Sequence, residues 1–207
     1  MTVPSLPLPF HFNASLTAEV LSTVAGWLLE EQRFTDDDLQ RPTDNAYTRG
    51  CAAFGRQKNR IVQEWLTGKF KWLSIANGKS NDLVFLLGPA PCRFASDSAE
   101  SPSKSAVLET HEFQMPFAEF SRPGEPARFC FVIDRGNSDE QEPRVVFAGY
   151  SANDEMVCRW ESDRVRRLSR VEDEVLPKAV DLDKPIVTPK RPATAANGND
   201  ISDAGGA

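Results

Sequence analysis

The chain has 207 residues, 40% hydrophobic and 26% charged, and its 30 acids outnumber 24 Lys and Arg for a formal net charge of −6. That size and apolar content suit one globular domain whose core needs neither disulfide nor metal. No run approaches the ~20 apolar residues that span a bilayer, so no membrane association is expected.

The N-terminus, with Pro4, Pro7 and Pro9 and no basic n-region, does not read as a signal peptide, and a cytoplasmic location is expected. The four cysteines, Cys51, Cys92, Cys130 and Cys158, form no C-x-x-C pair, and Cys130 and Cys158 fall in apolar strand-like runs. They read as buried, reduced thiols.

In chain order, residues 1–13 read as an extended arm pinned by Phe10 and Phe12. A helix follows over 15–32, with Leu16, Val20, Leu21, Val24, Trp27 and Leu28 on one face and Ser15 as N-cap. Asp36, Asp37 and Asp38 after Thr35 read as the first turn of a separate short helix rather than a metal site, because adjacent helical residues diverge. A second long helix runs from 44 to 67 and ends at Gly68. Its apolar face is Tyr47, Cys51, Phe54, Ile61, Val62 and Trp65, and Lys58 falls in the middle of that face.

Period-two patterning then takes over. Residues 70–75 and 82–87 flank Asn77-Gly78 as a hairpin, 92–95 form a short strand, and the Ser-rich stretch 96–105 reads as a mobile loop. Residues 107–115, 128–134, 144–149 and 156–160 read as four further strands separated by turn clusters. Strands in succession without intervening helices predict an antiparallel meander. A last helix is expected over 162–176, stopped by Pro177, and 177–207 reads as a disordered tail. The expected fold is therefore α+β: an antiparallel sheet of about five to seven strands, two N-terminal helices and one C-terminal helix in a single domain over 14–176.

The strongest pointer to a partner is a segregation of charge. Residues 41–73 carry seven Lys and Arg and two acids, a net charge of +5 inside an acidic chain. Arg49, Arg56 and Arg60 are spaced to stack along the second helix, and guanidinium groups match phosphate oxygens bidentately. Gln57 flanks the stripe as a hydrogen-bonding group for backbone or bases. Lys69 and Lys71 stand beside Phe70 and Trp72, which with Phe85 read either as stacking platforms for single-stranded bases or as core. Arg164 and Arg167, with Arg166 and Arg170, make a second cluster on the last helix. The competing reading is a pair of ordinary solvated helix faces.

Other chemistry is sparse. Lys58, if desolvated, reads as a base or nucleophile. Glu109 and His111 share a face of the predicted 107–115 strand, and Asp82, Asp134, Glu109 and Lys58 are the only set from which a metal-dependent nuclease-like site could be assembled. Asn77-Gly78-Lys79-Ser80 lacks the rest of a P-loop and reads as a hairpin turn. No cofactor is expected. The expectation is a non-enzymatic binding or accessory protein that uses the basic helix face around 49–60 against an anionic partner, DNA or RNA first. The alternative is a protein-interaction or inhibitor protein that uses acidic surface at 36–38, 139–142 and 172–174 against a basic protein partner. A basic groove favours the first and an exposed apolar or acidic patch the second.

Overall fold

A computed structural model describes residues 6–78, 82–135 and 142–162. The fold is α+β. Two long helices, α1 (Ala18–Asp38) and α2 (Ala46–Leu66), precede three strands, β1 (Leu73–Asn77), β2 (Val84–Leu87) and β3 (Ala90–Ser96). A connection carrying two short helices, α3 (Ser105–Leu108) and α4 (Met115–Glu119), leads to β4 (Arg128–Asp134), β5 (Arg144–Tyr150) and β6 (Met156–Glu161).

The six strands form one sheet in the order β1-β2-β3-β4-β5-β6. It is two antiparallel meanders side by side, because β3 and β4 run parallel, with Cys92 opposite Phe129 and Ser96 opposite Ile133. Parallel neighbours require a long crossover, and residues 97–127 supply it. This corrects two expectations. The sheet is not wholly antiparallel, and 107–115 is not a strand: its apolar residues belong to α3, a turn and the start of α4. Of the predicted helix over 162–176 only Ser162 is described, and its N–H bonds Val145 O at the end of the sheet; the rest of it and the tail lie outside the described residues.

α1 begins two residues later than Ser15 suggests, because Thr17 is the cap: its hydroxyl accepts from Val20 N–H at 3.3 Å. Val20, Leu21, Val24, Trp27 and Leu28 are buried as the periodicity predicts. No separate helix starts at Thr35; α1 runs through Asp38. Three carboxylates then stand at the negative end of the helix dipole, the unfavourable end. Partners offset this: Gln32 Nε2 reaches both Asp36 oxygens at 2.9 and 3.0 Å, and Arg56 pairs with Asp38 at 2.8 Å.

α2 is capped by Asn45, whose Oδ1 accepts from Thr48 N–H at 2.9 Å, and ends where Gly68 takes φ +65°. Its buried residues are Ala53, Gln57 and Ile61, while Tyr47 is 79% and Trp65 40% exposed. The buried axis is rotated by roughly 80° from the centre of the apolar face, at 100° per residue, toward the arginines. The reason is on α1, whose acids hold that side of α2.

The helices cover one face of the sheet. There the Phe85, Phe129, Phe131 and Phe147 rings pack with centroids 4.5–5.9 Å apart. On the opposite face Val107 of α3 and Ala99 of the 96–105 loop cover Cys130, Val132, Val146 and Ala148. Strands buried on both faces lose period-two alternation, which is why β4 and β5 read as nearly continuous apolar runs.

The 96–105 loop is pinned. The Asp97 carboxylate accepts backbone N–H bonds from Ser98, Ser103 and Lys104 at 2.7–2.9 Å. Glu100 reaches Arg159 at 2.7 Å and Arg144 at 3.5 Å. These two acids tie down a stretch expected to be a mobile loop. Burial raises the Asp97 carboxyl, but the three N–H donors and the Ser103 hydroxyl together hold it below the usual value.

Candidate functional site

The arginine stripe lies along the seam between the two long helices. Arg56 pairs with Asp38 at 2.8 Å. Arg60 meets Glu64 at 2.9 Å, Glu30 at 3.2 Å and Glu31 at 3.6 Å. Arg49 donates from Nη1 to Asp44 O at 2.7 Å. In sequence this segment is poor in acids; in space it is not. α1 carries six acids and one arginine, net −5, facing a segment of net +5. Gln57 is a core residue, 1% exposed, that donates to Leu28 O at 3.0 Å and ties α2 to α1. It does not flank an open surface.

Lys69 and Lys71 are exposed, with the Lys69 ammonium 5.2 Å from the Phe70 centroid. Phe70 and Trp72 pack against Trp27, at 5.0 and 6.1 Å, and Phe85 is fully buried. The aromatic set therefore serves the core. Arg164 and Arg167 lie outside the described residues, as do the acids at 139–140 and 172–174.

The residues considered for catalysis are dispersed. His111 donates from Nε2 to Asp82 Oδ2 at 2.6 Å, and its Nδ1 accepts from Phe113 N–H at 3.2 Å. Both ring nitrogens are therefore hydrogen-bonded within the chain. Asp82 is also bound by Arg93 at 3.3 Å, whereas Asp134 pairs with Arg144 at 3.0 Å on another strand. Lys58 is half-buried at the margin of the α2 contact, not at its centre. No three His, Cys, Asp or Glu side chains converge as metal ligands among the described residues. Nor is any helix among them long and apolar enough to cross a membrane.

Two features were not legible in the sequence. The first is exposed apolar surface on the β3–β4 crossover. Leu108 is 40%, Phe113 44%, Met115 52% and Phe120 85% exposed, while Phe117 between them packs on Phe129. Glu109, Glu112 and Glu119 are exposed among them. Gln114 anchors this segment, donating to Pro91 O and Phe129 O, both at 3.1 Å. The N-terminal arm reaches the same end of the sheet. Pro7 O accepts from Arg159 N–H on the β6 edge, and Ser15 packs so closely on Gly88 that a Cβ there would meet its Oγ at 2.5 Å. Leu6, Leu8, Phe10 and Phe12 on the arm are each about 40% exposed.

The second feature is an open cleft of about 260 Å³ at the opposite end of the sheet, between the first turn of α2 and the 96–104 loop. Lys104 and Arg135 line it together with Asp97 and Asp134.

Compared with protein-family models, curated proteins and solved structures, the chain matches none of them.

Proposed function

We propose that the chain is a non-enzymatic binding module that takes a basic, amphipathic segment of a protein partner on its β3–β4 crossover. The observation that carries this reading is the crossover's composition in space: four large apolar side chains exposed within 13 residues, interleaved with three exposed glutamates. Soluble surfaces seldom concentrate aromatic and Met side chains in this way, whereas interface centres do. The glutamates supply charge complementarity, which selects basic over acidic partners and speeds encounter. The occupied nitrogens of His111 and the internal pairing of Asp82 and Asp134 support the non-enzymatic part.

The nucleic-acid reading has lost its main premise, because Arg56 and Arg60 already satisfy carboxylates of α1. Lys69 and Lys71 keep it as an outcome of the test. In that test the full chain is purified from cross-linked source cells beside Met115→Ser and Phe120→Ser variants, and cross-linked peptides are mapped. A partner cross-linked to residues 108–120 through a Lys/Arg-rich apolar segment, and reduced at least tenfold in the variants, is the expected result. Undiminished capture by the variants overturns the reading. So does tight, salt-dependent DNA or RNA binding in fluorescence anisotropy that Lys69→Gln/Lys71→Gln abolishes.

A further inference from the structure

We infer that, granted the crossover reading, the partner taken there is a second copy of this chain, docked end to end about a two-fold axis. Of the twelve large hydrophobic side chains exposed among the described residues, all but Phe34 and Tyr47 belong to three segments. These are the arm from 6 to 12, the end of α2 at Trp65 and Leu66, and the crossover from 108 to 120.

The segments are far apart in sequence, and the turn between β2 and β3 ties them to one end of the sheet. Gly88 N–H donates to Trp72 O at 2.7 Å, which holds the stretch that follows α2. Ser15, just after the arm, packs on Gly88 itself. Gln114 of the crossover donates to Pro91 O at 3.1 Å, at the start of β3. Trp65 is 40% and Leu66 69% exposed there. Apolar surface gathered from three segments onto one end marks an interface, unlike hydrophobic residues scattered singly. Residues 6–16, 65–72 and 108–120 are comparable in number with the roughly 20–30 per side that a specific interface uses.

Charge points to the occupant. Glu109, Glu112 and Glu119 are exposed on the crossover, whereas residues 65–72 carry Lys69 and Lys71, also exposed, and no acid. None of these five side chains forms an ion pair among the described residues. The arm adds no charge of either sign from Asp, Glu, Lys or Arg between 6 and 16. In a two-fold interface residue i meets j and j meets i. The glutamates of each copy then face the lysines of the other, twice, with the uncharged arms buried between them. The crossover calls for a basic apolar segment, and Trp65, Leu66, Lys69, Phe70 and Lys71 are one that every copy presents at that end.

The test is sedimentation velocity of the full chain from low to high micromolar concentration, beside Lys69→Glu/Lys71→Glu, Glu112→Lys/Glu119→Lys and an equimolar mixture of the two variants. All four side chains are exposed, and circular dichroism melts establish that the variants are folded. The full chain should dimerise in the micromolar range. Each variant should do so at least tenfold more weakly, because like charges then face each other, and the mixture should recover the dimer. A monomer throughout that range overturns the inference, as does a dimer that both variants retain, or two variants that stay apart when mixed. The crossover reading is judged separately, by the peptides cross-linked to 108–120. A monomeric chain that still takes a basic segment of another protein there loses only the second copy as partner; a monomer that takes none loses both.

Discussion

Gly149 on β5 offers the sharpest test of the packing. It lies opposite Phe129 of β4 and Cys158 of β6, next to a register irregularity between Gly149 and Tyr150. A Cβ built there meets Cys158 Sγ at 2.5 Å, Phe129 Cε1 at 3.0 Å and Pro126 Cβ at 3.0 Å. Cys158, Phe129 and Pro126 are all buried, so the neighbours have little room to move. Overpacking a full core costs about 1–3 kcal/mol, and three simultaneous contacts place Gly149→Ala at about 3 kcal/mol. That is a large share of the ~5–15 kcal/mol that holds a typical domain. Cys158→Ala alone, a lost buried thiol, should cost about 1 kcal/mol. In the double variant the worst overlap is gone while the two 3.0 Å contacts remain, so the pair should be less destabilised than the sum by about 1 kcal/mol or more. Urea unfolding followed by tryptophan fluorescence reads all three, with m unchanged. Gly26→Ala is the counterpart on α1: its Cβ meets nothing within 4 Å, and it should stabilise by about 0.5–1 kcal/mol. A neutral Gly149→Ala, or strict additivity with Cys158→Ala, refutes the packing described for β4–β6.

Arg60→Ala should lower stability by about 1 kcal/mol at low salt, and the deficit should shrink near 1 M NaCl as the Glu30, Glu31 and Glu64 pairs are screened; a salt-independent deficit contradicts the seam. Glu100 is held below its ordinary value first by the hydrogen bond from Arg159 and then by the charges of Arg159 and Arg144, against the effect of burial. Its folded value being depressed, the stability it adds is full above the unfolded carboxylate value, about 4.3, and is lost as pH falls through the lower folded value. Glu100→Gln should therefore flatten the acid limb of urea stability below about pH 4, and an unchanged limb contradicts the clamp. Burial pushes the thiols of Cys130 and Cys158 up to about 12 and Cys92 well above its ordinary value, whereas Cys51 is exposed. A thiol-disulfide reagent should accordingly find one fast thiol in the native protein and four after denaturation, and two or more fast native thiols contradict the core assignment.

The elements easiest to read were those with one buried face or two. α1, α2, β4, β5 and β6 announce themselves through period 3.6 or long apolar runs, and their bounds fall within a few residues of expectation except at the C-terminal end of α1, which runs through Asp38 and not to 32. The crossover misled because Val107, Leu108, Phe113 and Met115 resemble a strand, yet they are used differently: Val107 is buried, and Phe113 and Met115 are exposed. Periodicity records which residues are apolar, not which are covered. The parallel β3–β4 pairing was equally hidden, since nothing local distinguishes a returning connection from a loop in a meander. Asp97 and Glu100, which secure the Ser-rich loop, act through backbone N–H groups and distant arginines that no spacing rule connects to them.

The charge segregation shows how a correct sequence observation can miss its own counterpart in space. The +5 of residues 41–73 is real, and so is its match: α1, net −5, lies against it through Arg56 and Arg60. Residues 18–38 and 41–73 together are therefore neutral, and the chain's −6 belongs to everything else. An approaching polyanion finds Arg56 and Arg60 paired with α1 and meets the exposed Lys69 and Lys71 beyond the C-terminal end of α2. A basic segment approaching the crossover meets Glu109, Glu112 and Glu119 with Phe113, Met115 and Phe120 between them. Fields of this kind act on encounter, while desolvated apolar contact decides how long the complex lasts. Among the described residues the crossover offers both in one place, and this is why the binding surface is proposed there and not at the arginines.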